Sequence, residues 1–189
     1  MEKISLREFL LDKEKNSMNS KRKNKYSEIF KNRALYLIDF IESEYFSNIK
    51  YQHNGQLIDD MAYIFIIQLL QVFALELILK SSFIKISKFN NYKDLCDKLQ
   101  KINHKLDSNH LKDVFSNLKI SILKKKTLKQ EYFIILDKKE KYIFYEFTWI
   151  RYLIPLRKNL GKSGLVKNRN TYTVIDRNLN FMKKLTNNI

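Results

Sequence analysis

The chain has 189 residues and 22.9 kDa, with 44% hydrophobic and 30% charged side chains, enough apolar material for one sizeable core. Three Gly and one Pro are too few for an all-β sandwich or barrel, and 13% aromatic residues exclude a disordered chain. The single cysteine, Cys96, excludes a disulfide framework, and a net charge of +16 points to nucleic acid, an anionic membrane or an acidic protein as partner. A mainly α-helical, cytoplasmic protein is the expectation.

Residues 1–25 are expected to form a basic N-terminal arm or linker, and residues 26–189 a helical bundle domain. The first 28 residues alternate charged and apolar side chains, without the uninterrupted apolar run of an export signal. From Tyr26 to about Lys50, Ile29, Phe30, Ala34, Leu37, Ile38, Ile41 and Tyr45 recur at three- and four-residue steps, which predicts one helix with those residues inward. His53, Asn54 and Gly55 then supply a stop signal.

Residues 57–86 are the most apolar stretch. The span from Met61 to Leu79 is long enough to cross a bilayer, but Gln68, Gln71 and Glu76 interrupt it. Such a helix reads more simply as the centre of a bundle, covered on most sides by neighbours. Membrane contact stays a possibility that the pattern disfavours.

A short amphipathic helix is expected over 92–102, and Ser108 or Asn109 can cap another that runs through 126. Lys124, Lys125 and Lys126 would then close that helix, where cations favour the dipole. Residues 131–147 fit either a small β-hairpin or a helix face. A last helix is predicted from Asp176, as cap, to about Leu185, so that helices centre near 38, 71, 97, 116 and 181.

Charge is distributed unevenly. Of the 36 basic residues 29 are Lys, and 18 Asn accompany them, a pattern to which AT-rich coding contributes. Coding bias does not remove acids from one end, however. Residues 151–189 hold nine basic side chains and a single acid, Asp176, which makes this segment the electrostatic candidate for phosphates. Arg151, Arg157, Lys158, Lys162, Lys167 and Arg169 are the expected nucleic-acid contacts. Just before them, Tyr142, Phe144, Tyr145, Phe147, Trp149 and Tyr152 fit a stacking platform, although core packing is the plainer reading for Phe144, Phe147 and Trp149.

Other chemistry is sparse. Gly161-Lys162-Ser163 lacks the glycine of a phosphate-binding loop, because Leu156 occupies that position. His53, His104 and His110 have no metal-ligand spacing and read as surface or capping histidines, so neither a metal nor a cofactor is expected.

Three segments resemble the HEPN-like helical domains of bacteria and archaea. They are Phe73–Lys80, with its leucine-rich Glu…Lys pattern; Ser108–Phe115, similar to a loop-to-helix segment; and Trp149–Tyr152, similar to a late Arg-Tyr. The resemblance spans about residues 57–185. It implies a homodimer or higher oligomer that binds RNA rather than DNA, in a CRISPR-associated, abortive-infection or toxin–antitoxin defence system. Active members of the family are metal-independent ribonucleases with an arginine followed by four to six residues and then a histidine. Here no histidine lies beyond His110, so the usual motif is missing. If this chain cleaves RNA, the candidates are Arg151 to stabilise phosphate charge, His110 as acid or base, and Arg157 in support. The competing expectation is a non-enzymatic oligomeric adaptor, or a membrane-associated accessory protein with an acidic protein or lipid partner.

Overall fold

A computed structural model describes residues 18–49, 57–126, 131–145 and 170–189. These form five α-helices, a short 3-10 turn and a three-stranded antiparallel sheet, mainly helical as the composition predicts. In chain order they are α1 (Ser20–Ile49), α2 (Leu57–Ile86), α3 (Tyr92–Gln100), the 3-10 turn Asn109–Leu111, α4 (Lys112–Leu118), β1 (Ile120–Lys126), β2 (Glu131–Asp137), β3 (Glu140–Tyr145) and α5 (Asn170–Asn187).

α1 begins six residues before its apolar pattern does, inside the stretch expected to be an arm. The Asn19 Oδ1 accepts the Arg22 backbone N–H at 2.9 Å, so the helix starts at a capping side chain and not at the first hydrophobic residue. The Met18 N–H donates to the Asn90 carbonyl at 3.1 Å and ties this start to the connection between α2 and α3. Ser27, Ala34, Ile38 and Ile41 form the buried face, whereas Ile29, expected inward, is exposed.

α1 and α2 run antiparallel. Small residues let them approach: the Ser27 hydroxyl donates to the Ser81 carbonyl at 3.0 Å, and the Ser81 hydroxyl donates to the Ser27 carbonyl at 2.8 Å. From Gln71 to Ile84 nearly every side chain of α2 is buried, and the apolar span Ile66–Ile86 lies mostly inside the fold. α1, α4, α5 and β3 pack around it, which is the central-helix arrangement its all-round hydrophobicity predicts.

The sequence pattern misplaces the element after α4. A continuous helix through Lys126 is expected, but the helix ends at Leu118, where Lys119 takes a left-handed φ of 56° and its N–H caps the Phe115 and Ser116 carbonyls. β1 then pairs with β2, Ile120 opposite Asp137 and Lys126 opposite Glu131. Lys124, Lys125 and Lys126 therefore lie on a strand that is the edge of the sheet among the described residues, and not at a helix end; Lys126 and Lys124 pair with Glu131 at 2.7 and 3.7 Å. β2 and β3 form the hairpin alternative for 131–147, closed by Lys138 (φ 55°) and Lys139.

α5 starts at Asn170, so Asp176 is an interior residue and not the cap. It is half-buried, and desolvation raises its carboxyl pKa above the ordinary value. Ile175, Leu179, Phe181, Met182 and Leu185 complete the core against α1, α2 and β3. Phe181 stacks on Tyr142 with centroids 4.1 Å apart, and the Arg177 guanidinium lies 5.8 Å from the same ring. Lys184 pairs with Asp137 at 2.5 Å and Lys183 with Glu42 at 2.6 Å.

Burial first, then the hydrogen bond its hydroxyl donates to Glu140, push Tyr142 up to about 12. A folded pKa above the ordinary 10.0 means stabilisation that is full below pH 10.0 and lost as the pH rises to about 12. Absorbance titration at 295 nm should show one tyrosinate with that late midpoint, absent in Tyr142→Phe. Urea midpoints should fall less for the variant than for the wild type across the same alkaline window.

Candidate nucleic-acid interface

Strand alternation divides the sheet into two faces. Ile120, Phe133, Ile135, Tyr142 and Phe144 point to the helices and are buried. Tyr142 and Phe144 are thus core residues, which removes them from the stacking platform expected from sequence. The opposite face carries three cross-strand rows, fixed by the register: Ser121, Leu136 and Lys141; Leu123, Ile134 and Ile143; Lys125, Tyr132 and Tyr145.

This outer face combines three chemistries within one small sheet. Tyr132 and Tyr145 sit directly opposite each other on β2 and β3, both half-buried. Burial, and after it the neighbouring Tyr132, raise the Tyr145 hydroxyl above its ordinary value, so it stays a neutral donor at physiological pH. Lys125 is exposed at one end of the tyrosine row, and Lys141 is exposed one row beyond the aliphatic centre. Leu123 is 47% exposed and completes an apolar strip between the two lysines. Such a face offers rings for stacking and ammonium groups for phosphate, the two requirements of a single-strand binding surface.

A second cluster lies where α2 meets the 101–108 loop. The Glu76 carboxylate, its side chain 7% exposed, accepts from Lys80 Nζ at 2.5 Å one helical turn later. Its other oxygen lies 3.1 Å from His104 Nδ1 and accepts the His104 backbone N–H at 3.3 Å. Lys80 also donates to the Asn103 side-chain oxygen. His104 holds φ 55° and packs edge-on to Phe73 with centroids 6.1 Å apart. A buried carboxylate thus orients an imidazole whose side chain is 45% exposed. The Glu…Lys pattern within Phe73–Lys80 is this ion pair, and it clamps the loop to α2.

Of the site residues expected from sequence, His110 is described. It is exposed, the second residue of the 3-10 turn, and its N–H faces the Ser108 hydroxyl that caps the turn at 3.4 Å. Arg151, Arg157, Lys158, Lys162, Lys167 and Arg169 lie outside the described residues, as do Phe147, Trp149 and Tyr152. Three of the nine C-terminal cations, Arg177, Lys183 and Lys184, dock α5 onto the rest of the fold. Sequence alone does not mark Tyr132 and Lys125 for the interface; a tyrosine two residues before an Ile134–Ile135 pair defines a strand face only once the register is known.

Compared with protein-family models, with curated proteins and with solved structures, the chain gives no match.

Removing Glu76 strands a buried ammonium, which costs about 3–5 kcal/mol. Glu76→Ala should lower the urea midpoint accordingly with an unchanged m-value, and Glu76→Ala/Lys80→Met should recover most of the loss. His104→Ala should cost under about 1 kcal/mol, because that imidazole is not enclosed.

Proposed function

We propose that this chain is an RNA-binding protein of the HEPN-like helical type, which meets single-stranded RNA with the outer face of its sheet and with the basic segment 151–169. The single observation that carries the reading is the cross-strand row Lys125–Tyr132–Tyr145, its lysine exposed and its tyrosines half-buried, on the sheet face opposite to Phe133 and Phe144. Stacking on tyrosine is tolerant of base identity, and lysine acts on phosphate as a point charge, so the surface suits a strand more than a particular sequence.

The net charge supports the same partner. Residues 91–150 carry 13 basic and 8 acidic side chains, and the last 39 carry nine basic and one acidic. In the proposal Arg151, Arg157, Lys158, Lys162, Lys167 and Arg169 extend the phosphate track begun by Lys125 and Lys141. Binding, not cleavage, is the activity assigned, because no histidine follows Arg151 to supply proton transfer.

Fluorescence anisotropy with a labelled single-stranded RNA tests this directly. Tyr132→Ala and Tyr145→Ala should each weaken binding by about 1–3 kcal/mol with little change in the salt slope. Lys125→Ala should instead flatten the slope of log K against log salt by about 0.7, the value for one phosphate contact on a single strand. Arg157→Ala/Lys158→Ala/Lys162→Ala should flatten it by about 2. Unchanged affinity in both tyrosine variants would contradict the sheet as the interface, and an unchanged slope in the triple variant would contradict the basic segment.

A further inference from the structure

α1 buries Ser27, Ala34, Ile38 and Ile41 against the fold, and its opposite side carries a patterned face. Lys25, Ile29, Arg33, Tyr36 and Phe40 follow one another at steps of four, four, three and four residues, which keeps them on one side of the helix. All five are exposed. Three are large apolar side chains: Tyr36 is 71% exposed, Phe40 43% and Ile29 36%. At 1.5 Å per residue the row is about 22 Å long. The exposed acids of this stretch, Glu28 and Asp39, stand eleven residues apart and therefore together, on one flank of the row.

The mixture of side chains, more than either kind alone, identifies what this face fits. Apolar groups by themselves suit any hydrophobic surface, and cations by themselves suit any polyanion. A single helix side that interleaves them suits the boundary of an anionic bilayer. There Ile29 and Phe40 enter the acyl margin, and Tyr36 sits at headgroup level with its hydroxyl toward water. Lys25 and Arg33 lay their aliphatic stems beside the apolar groups and carry their charges up to the lipid phosphates. The surrounding charge agrees: residues 20–33 hold six basic side chains and one acid. A nucleic-acid strand gains little from Ile29, which has no ring to stack on.

We propose that this face of α1 lies on an anionic lipid surface, with the helix axis in the plane of the membrane. The net charge of +16 draws the protein to such a surface, and the apolar members of the row decide which side meets it. The attachment is peripheral and reversible. It leaves α2 where it is, because the apolar span Ile66–Ile86 lies mostly inside the fold. The proposal stands on the α1 surface alone and is independent of RNA binding by the sheet.

Flotation of the nuclease-treated full chain tests this, with phosphatidylcholine vesicles that contain about one-third phosphatidylglycerol set against phosphatidylcholine alone. The wild type should float with the anionic vesicles and not with the neutral ones. Tyr36→Ser/Phe40→Ser should lower the partition coefficient about tenfold. Lys25→Ala/Arg33→Ala should lower it about fivefold per charge removed. Both pairs should keep the helical circular dichroism of the wild type, and using two keeps the test decisive if one folds poorly. The added indole of Tyr36→Trp, read as the difference from wild type, should shift to the blue on anionic vesicles and be quenched by brominated acyl chains. Tyr132→Ala/Tyr145→Ala should float as the wild type does, which separates this proposal from the reading of the sheet. No flotation with anionic vesicles, or flotation that both α1 pairs leave unchanged, would overturn it. Loss of RNA binding in the α1 pairs with flotation intact would assign the face to RNA and overturn it as well.

Discussion

α2 is hydrophobic around nearly its whole circumference, and a helix of that kind is stable in water only when neighbours cover every side. That requirement organises the chain. α1 covers one side, α5 and β3 another, and α4 with its preceding loop a third. Hydrophobic burial is non-directional, however, and does not by itself fix which neighbour sits where.

Polar groups inside the apolar helix supply the direction. Ser81 meets Ser27 of α1 through reciprocal hydrogen bonds, which sets the depth and register of that helix pair. Gln71 donates to the Ile175 carbonyl and accepts from Asn178, tying α2 to α5, while Asn178 also reaches the Ile143 carbonyl of β3. Glu76 and Lys80 hold the loop at Asn103 and His104. Each pairing satisfies groups that would be costly to bury alone, so an alternative packing of the same hydrophobic surfaces leaves them unmatched. Among the described residues, the outer sheet face and the outward stripe of α1 take no part in these pairings.

Elements with a strong hydrophobic period are legible in the amino-acid sequence. The inward face of α1, the all-round apolar α2 and the helical α3 follow from spacing alone. The different outcome at residues 119–126 has a specific physical cause. Lys119 ends α4 in a left-handed conformation that glycine or asparagine usually marks, and lysine gives no such signal. Ile120, Ile122 and Leu123 then fit a helix face as well as a strand, and the three lysines resemble a helix end. Only pairing with β2, a non-local interaction, decides between them. Asp176 misleads in the opposite way: it is a good cap by type, yet it lies inside a helix that begins at Asn170. For the interface, aromatic clustering groups Tyr142 with Tyr145, but strand alternation buries Tyr142 and puts Tyr145, half-buried, on the other face of the sheet. Ile29 falls in with the inward face of α1 by spacing because it lies next to Phe30, one step off the buried row.

The central claim is that the outer face of the sheet is where RNA binds. Amide and side-chain NMR of the isotopically labelled protein, titrated with a short single-stranded oligouridine, tests it most directly. The account predicts the largest shift changes at Leu123, Lys125, Tyr132, Ile134, Ile143 and Tyr145, with the α1 stripe and the Glu76–His104 cluster unmoved. Shifts confined to α1 or to the His104 loop, with that sheet face silent at saturation, would contradict it.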